Sequence, residues 1–565
     1  MNKKTKPFSI FVLLSFFPGC LNLSAPDPKT QAVDVSKHSS VAQASGKTFA
    51  FRLPAEPETL DWNRAHTPVE THILVNLMEG LMGLDSKLQL VPAIAESWKV
   101  SPDGMTYIFK LRSGVRWSDG VPLKAQDFVY SWKRLLSPDT AAAYAYLLYD
   151  VKGAEDFNQR RLLDFNRVGI RVLDDQTLTV NLVHPVSYWA YIPTFWVTFP
   201  LRQDLVEKYG AGWVSPEHMV TVGPYTLSEH KIDSKIVLKS NPNYYGSRGN
   251  VDRIVARIIR DDSTALNLYE SSANRFGNLD FLTDIPSYDL ERLEGRKDLV
   301  SFPYLKTVYL GFVTTPQALC DTCDQNQLRK SLAMAIDKTK FGMILHGNQV
   351  RASSFVPPSM MGFSEDAGLP YDPSRARKEL EAAMKDSARE GGVGPHKSSS
   401  KTPAGLPKLS LLLLNFDRSL IVGQYIQNEL KKNLGLSVTL EPFDNKTYRA
   451  KLDSHEFSLF LTSWSADYPD PDNFLSIFLS TSGNNRTLWR SAEFDAKINS
   501  AKYLRSTDER EKLYLQAQEL LLNHSAAIMP LYYDKNIALV RPGVHGVALN
   551  PLNYLFIKNV MLEEK

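Results

Sequence analysis

Cys320-Asp-Thr-Cys323 is the one closely spaced thiol pair in this 565-residue sequence. Two cysteines at that spacing can close a local disulfide, cycle as a redox pair, supply half of a metal site or stay free. A four-cysteine zinc site needs a second pair, and the only other cysteine is Cys20. No strand-helix-strand context of the thioredoxin kind surrounds the pair, which argues against redox cycling. A disulfide clipping a loop and free thiols both stay open. The 11 histidines are scattered, and His66 and His72, six apart, do not share a helical face, so no zinc or nickel cage is spelled out. GxSxG, HExxH and P-loop strings are absent, so the nucleophile, base and orienter of an enzyme are not written either. The most promising string is LFLTSWSADYPDPDNF at 459–474. Its apolar start reads as a buried strand ending at Trp464, and its polar, proline-broken tail emerges where a cleft could lie. An aspartate beside proline ordinarily turns or caps the chain, and Asp470 and Asp472 are read that way.

These residues need a scaffold. With 43% hydrophobic and 11% aromatic residues the chain can bury a large core. Its 65 basic and 62 acidic residues, with no long basic block, give no nucleic-acid footprint. Alternating apolar residues around Ser101-Pro102-Asp103-Gly104 predict a hairpin over 95–111, and Phe128, Val129, Trp132 and Leu135 predict a helix over 126–136. Further strands are expected at 47–53, 170–172, 177–182, 236–239, 254–259, 409–414 and 437–441. Helices are expected at 69–82, 263–270, 328–336 and 421–433. The chain is therefore of mixed α/β class. Residues 386–407, rich in Gly, Ser, Lys and Pro, read as a surface insertion. At the N-terminus Lys3, Lys4 and Lys6 precede the apolar run 8–17 and Pro18-Gly19-Cys20, the order of an export signal. At about ten residues that run is too short for a transmembrane helix. Residues 1–20 are thus expected to be a cleaved signal. Cys20 suits lipidation, with an ordinary secretory signal as the alternative, and 21–46 reads as a flexible tether.

As a string, AESWKVSPDGMTYIFKLRSGVRWSDGVPLKAQDFVYSW at 95–132 resembles the signature of the peptide and nickel extracellular solute-binding family (family 5). Oligopeptide-binding members of that family deliver peptides to ABC importers. TVGPY at 221–225, NPNYY at 241–245, LRKSLAMAID at 328–337 and WSADYPDPDNF at 464–474 extend the resemblance along nearly the whole chain past residue 48.

The resemblance implies a bilobal periplasmic-binding-protein-like fold (type II, cluster C) with an extra domain and two hinge crossovers. Lobe I would take 47–82, 200–306 and 526–565, its extra domain 83–199, and lobe II 307–525. Ligand would lie between the lobes. Carried over by position, Asp467 would pair with a peptide's amino terminus, Ser463, Trp464 and Ser465 would hold its backbone and line pockets, and His66 and Thr67 would form a second backbone contact. His66 stands where the family usually has glutamate. Tyr144 and Tyr146 match a tyrosine-rich, cleft-facing segment, with core packing as the alternative. The family's basic anchors for the ligand carboxylate fall at Ile344, Leu452 and Leu461, so Arg351, Arg418 and His346 are the remaining candidates. The expected partners are short peptides, a permease with separate ATPase subunits and a membrane reached through lipidated Cys20. No cofactor, no metal, a monomer and a periplasmic or cell-surface location are expected. A murein-peptide binder, a nickel- or haem-binding relative and a surface receptor that no longer transports are the alternatives.

Overall fold

The computed structural model describes residues 46–563 apart from 272–275, 316–317, 321–322, 348 and 386–408. The expected signal with Cys20, nearly all of the tether and the 386–407 insertion lie outside the described residues.

The organising element is a mixed eleven-stranded sheet. From one edge its order is Val438–Phe443, Leu409–Leu414, Leu459–Ser465, Leu299–Phe312, Ile528–Val540, Phe281–Leu282, Thr48–Leu53, Arg253–Ile258, Lys235–Ser240 and Tyr225–Lys231. The short strand Val350–Arg351 pairs beside this path with Ile528–Val540. Continuous apolar runs account for the ladder, because a strand covered on both faces buries successive residues. Ile236, Val237 and Leu238 are almost fully buried, as are Ile254, Val255 and Ala256 opposite them.

Leu299–Phe312 and Ile528–Val540 are long, at 14 and 13 residues, and antiparallel. One half of the pair, Leu299–Pro303 against Lys535–Leu539, continues into the Phe281–Leu282 and Thr48–Leu53 side. The other half, Thr307–Gly311 against Ile528–Tyr533, carries Leu459–Ser465. Between the halves the register breaks: Pro303 faces Lys535 and Thr307 faces Tyr533, so Tyr304, Leu305 and Lys306 stand against the single residue Asp534. Proline cannot donate to a ladder, and such a bulge bends the strand and re-aims its side chains. Two bodies joined by two such strands have the anatomy of a hinge. Leu310, Phe312, Leu328, Leu332, Leu411 and Leu531 share one core, while Phe49, Phe51, Leu74, Ile236 and Ile254 belong to another.

A separate four-stranded sheet, Ala95–Val100, Thr106–Leu111, Thr177–Asn181 and Ile170–Asp174, is built on the expected hairpin. Gly104 takes a φ of 76° at its turn, a conformation side chains resist. Tyr107, Phe109 and Leu111 are buried on one arm and Ala95 on the other, where Trp98 also packs against the core, while Val100 near the turn is exposed. Trp132 of the helix Ala125–Leu136 packs edge-on to Trp189, with ring centroids 6.4 Å apart.

The helix expected over 69–82 is shorter, Pro68–Leu77. Thr67 and Glu70 form a capping box at its start and Pro68 occupies the first turn. It stops because the chain must then pass closely beside Pro193, where a Cβ on Gly80 would lie 2.3 Å from the carbonyl oxygen. Met78, Leu81 and Met82, whose apolar spacing extended the prediction, are buried all the same, as loop and strand. Cys320 and Cys323 are joined as a disulfide, with Cα atoms 5.9 Å apart, just ahead of the helix Gln325–Met334.

Candidate functional site

The strand Leu459–Ser465 starts buried, with Leu459 and Phe460 fully inaccessible, and turns half-buried from Thr462 onward. On one side it pairs with Leu299–Phe312 throughout. On the other, only Leu459 and Phe460 have a strand neighbour, Leu411 and Leu412. The Leu461 carbonyl there accepts the Tyr448 hydroxyl at 2.7 Å. From Thr462 to Ser465 that second edge has no strand among the described residues. The phase of the ladder follows from its ends, where the Val313 N–H donates to Ser458 O and the Ala466 N–H to Leu305 O. Hydrogen-bonded positions alternate along an antiparallel pair. Ser463 and Ser465 therefore turn their amides and carbonyls toward the open edge, where an extended peptide can add as a strand.

Asp467 follows directly. Its own N–H donates to Asn473 Oδ1 at 3.0 Å, and the same oxygen accepts the Trp464 indole N–H at 3.2 Å, so Asn473 braces both residues. The Tyr144 hydroxyl, 323 residues away in sequence, reaches Asp467 Oδ1 at 3.5 Å. Tyr144 in turn meets Tyr146, Phe195 and Trp196, with centroids 5.9, 5.1 and 5.7 Å away, and Trp196 meets Tyr554 at 5.7 Å. Asp467 retains some water contact but is densely surrounded. Burial pushes its carboxyl up to about 6, against the hydrogen bonds from Asn473 and Tyr144. Among the described residues no Lys, Arg or His pairs with it.

Its neighbours in the string are provided for. Asp470 closes a turn by accepting from the Asp472 N–H, and it is buried as well, accepting two hydrogen bonds from Arg510 at 2.9 and 2.7 Å in an ion pair. Asp472 accepts the Tyr468 hydroxyl at 3.0 Å, and burial, with Asp470 nearby, lifts its carboxyl to about 7. Of the three, Asp470 has Arg510 and Asp472 feels Lys502, while Asp467 has only the neutral donors Asn473 and Tyr144. Enclosed by aromatic faces, it suits an ammonium ion.

The second expected backbone contact is differently disposed. The amides of His66 and Thr67 both donate to Glu70 Oε2, at 2.8 and 2.7 Å, and the Ala65 carbonyl accepts the Trp196 indole at 3.3 Å. His66 itself is exposed, its ring 3.7 Å from Glu58. The capping box that starts the helix therefore uses the donors a ligand would need. Of the three carboxylate candidates, Arg418 lines a cleft of about 630 Å³ together with Ser463, Leu461 and Tyr304. Arg351 and His346 are exposed and line neither this cleft nor a neighbouring one of about 510 Å³.

Sequence reasoning missed Lys306 and Asp534, which also line the larger cleft. Lys306 Nζ lies 2.9 Å from Asp534 Oδ2, and the Arg418 guanidinium lies 3.2 Å from Oδ1. Burial alone would lift Asp534, yet Lys306 and Arg418 hold its carboxyl below the usual range; Asp534 likewise raises Lys306 against the effect of burial. The signal was a lone charge inside an apolar run, in YLKTVYL at 304–310 and MPLYYDK at 529–535. Among the described residues no group of three or more His, Cys, Asp or Glu could hold a metal ion.

Residues 89–486 match the family model of the bacterial extracellular solute-binding proteins, family 5. The chain belongs to this family. It is 30% identical over 541 residues to the probable deoxycholate-binding periplasmic protein YgiS of Escherichia coli, covering 94% of this chain and 96% of that protein. To the periplasmic oligopeptide-binding protein OppA of Salmonella typhimurium it is 29% identical, covering 92% and 94%. The crystal structure of Haemophilus influenzae OppA in complex with the peptide RPPGFSPFR superposes with a TM-score of 0.75 at 27% identity, covering 92% of this chain and 99% of that one. The architecture is accordingly the bilobal periplasmic-binding fold, and the family 5 chain is a non-enzymatic, extracytoplasmic binder.

Proposed function

We propose that this protein captures short peptides in the cleft between its lobes, divided at the boundaries expected above, and delivers them to the permease of an ABC importer while tethered by a lipidated Cys20. The observation that carries this reading is the pairing of Asp467, a cation-free carboxylate, with the open edge of Leu459–Ser465 immediately before it. A peptide's amino terminus is an ammonium that leads directly into an extended backbone, and these two features lie in that order. Side-chain-independent hydrogen bonding along an edge lets one site accept many sequences. Trp464 and Tyr144 supply flat walls that impose no charge on the ligand. Closure of the lobes over a bound peptide is a population shift driven by contacts made in the closed form.

The test is calorimetric titration with trialanine, N-acetyltrialanine, murein tripeptide and deoxycholate. Trialanine should bind and its acetylated form should not. Asp467→Asn should weaken trialanine by roughly 2 to 5 kcal/mol, because the ammonium is then buried without its charge partner. Binding of deoxycholate with no response to any of the peptides would overturn the proposal.

A further inference from the structure

We infer that the seam between the expected extra domain and second lobe, built from Asp150, Tyr188, Tyr468, Asp472 and Lys502, is a proton-controlled latch that favours the closed form in acid and loosens as the pH rises, with or without ligand. The inference rests on the lobe closure described above and not on what the cleft binds. Both sides contribute to the seam. Lys502 Nζ, on the helix Ala492–Tyr503, lies 2.7 Å from Asp150 Oδ1, while Asp150 Oδ2 accepts the Tyr188 hydroxyl at 3.0 Å. The Tyr188 ring stacks on that of Tyr468, with centroids 4.8 Å apart, and the Tyr468 hydroxyl donates to Asp472 Oδ2. Around this row the Ser187 N–H donates to Lys502 O at 3.4 Å, the Arg505 guanidinium donates to Pro102 O, and the His184 and Tyr503 rings lie 4.8 Å apart. None of these residues lines either cleft, so the contact is separate from the walls a ligand would touch.

The charges at the seam decide its behaviour. Three carboxylates, Asp150, Asp470 and Asp472, share two cations. Arg510 pairs with Asp470 and Lys502 with Asp150, which leaves Asp472 the Tyr468 hydroxyl and the more distant field of Lys502. Tyr146, Tyr191 and Tyr514, also packed here, are phenols that burial keeps neutral, and the exposed His184 stands at the rim against Tyr503. A proton on Asp472 leaves the set balanced, whereas its loss adds a buried negative charge in excess. Burial, and then Asp470, lifts this carboxyl to about 7. Opening the seam would withdraw Asp150 and Tyr188, let water reach Asp472 and free Lys502 to pair with it, returning the carboxyl toward its ordinary value of 3.8. A group that holds its proton more tightly in one form favours that form wherever the proton is present. The closed form therefore has its full advantage below about pH 4, loses it progressively between 4 and 7, and has none left above.

The measurement is small-angle X-ray scattering of purified, ligand-free protein between about pH 5.5 and 8, with trialanine-saturated protein as a reference for closure. The free protein should expand as the pH rises, its ratio of open to closed molecules growing roughly tenfold or more. Asp472→Asn should stay compact at both ends of the range, and Asp150→Asn, which restores the balance when Asp472 is ionised, should lose most of the response. Lys502→Met should be expanded throughout. Asp467, the other carboxylate enclosed between the lobes, acts in the same direction, so Asp467→Asn should reduce the response without abolishing it; His184→Gln should leave it intact. A response that survives in Asp472→Asn, or that vanishes in Asp467→Asn or His184→Gln, assigns the proton elsewhere and overturns the latch. If trialanine compacts the protein but pH does not alter the free form, the latch is refuted while closure stands. If neither pH, Lys502→Met nor trialanine alters the scattering, the closure reading falls with it. The parent protein alone gives the pH result, so the test holds even if a variant fails to fold.

Discussion

A buried carboxylate with no cation beside it among the described residues stores unfavourable energy, and at Asp467 that energy has a pH signature. Burial raises the folded carboxyl to about 6, above its ordinary value of 3.8. Below about pH 4 both folded and unfolded forms are protonated and nothing is lost. Between 4 and 6 the unfolded form ionises first, and above 6 the folded state carries the full cost, on the order of 1 to 3 kcal/mol. Asp467→Asn should therefore raise the melting temperature at pH 7 to 8 and have no such effect near pH 4, as followed by circular dichroism; an equal effect at both pH values would remove the ionic explanation. As a candidate the residue was legible from the WSADY string, because a family pattern can be matched position by position. Its setting was not. Tyr144 comes from 323 residues upstream, and Asn473 gives no sign in sequence that one amide oxygen braces two partners. Lys306 and Asp534 escaped for a related reason: each is an isolated charge, and only the bulge between two strands more than 200 residues apart makes them a pair.

The strand Leu459–Ser465 divides its labour along its length, with two buried leucines and a phenylalanine anchoring it and four half-buried residues along the part with an open edge. Ser463 should accordingly tolerate the loss of its amide. Ser463→Pro removes an N–H that points away from Leu299–Phe312, and proline is compatible with edge positions. The variant should melt within a few degrees of the parent yet lose at least about 1 kcal/mol of peptide affinity, the net value of a hydrogen bond; a large fall in melting temperature would show that the amide serves the sheet. Strands were the easiest elements to read, since those at 170–174, 177–181, 235–240 and 253–258 announce themselves by β-branched apolar runs. The Pro68–Leu77 helix was read too long because Met78, Leu81 and Met82 are buried for tertiary reasons that mimic helical spacing. The amides of His66 and Thr67, expected as ligand contacts, both donate to Glu70, a capping box that a Thr-Pro-Val-Glu string announces and that the family pattern does not bring to notice.

At the scale of the whole molecule the lobes are inseparable from the order of the chain. The side chain of Asn76, fully buried, donates to Leu555 O at 2.7 Å and accepts from the Ile557 N–H at 2.8 Å, bonds that span 479 and 481 residues. Lys47 Nζ and the Asn250 amide both donate to Leu562 O. A chain ending at Gly546 would leave Asn76 only its bond to His72 O and would remove the buried Leu549, Leu552, Leu555 and Ile557 from the core. It should be cleaved rapidly by a protease that spares the intact protein, and equal resistance would mean that the C-terminal segment is dispensable. Which strands share a sheet could not be read from local pattern, because the central neighbours of Thr48–Leu53 come from 253–258 and 281–282 and those of Leu299–Phe312 from 459–465 and 528–540. This topology also governs time. A polypeptide that emerges N-terminus first offers its opening strand and helix long before their final partners exist, and pairings so distant in sequence are slow to form. The bonds of Asn76 to Leu555 and Ile557 cannot form until those residues have been made, so the opening helix waits for nearly the whole described chain before its buried side chain meets these partners.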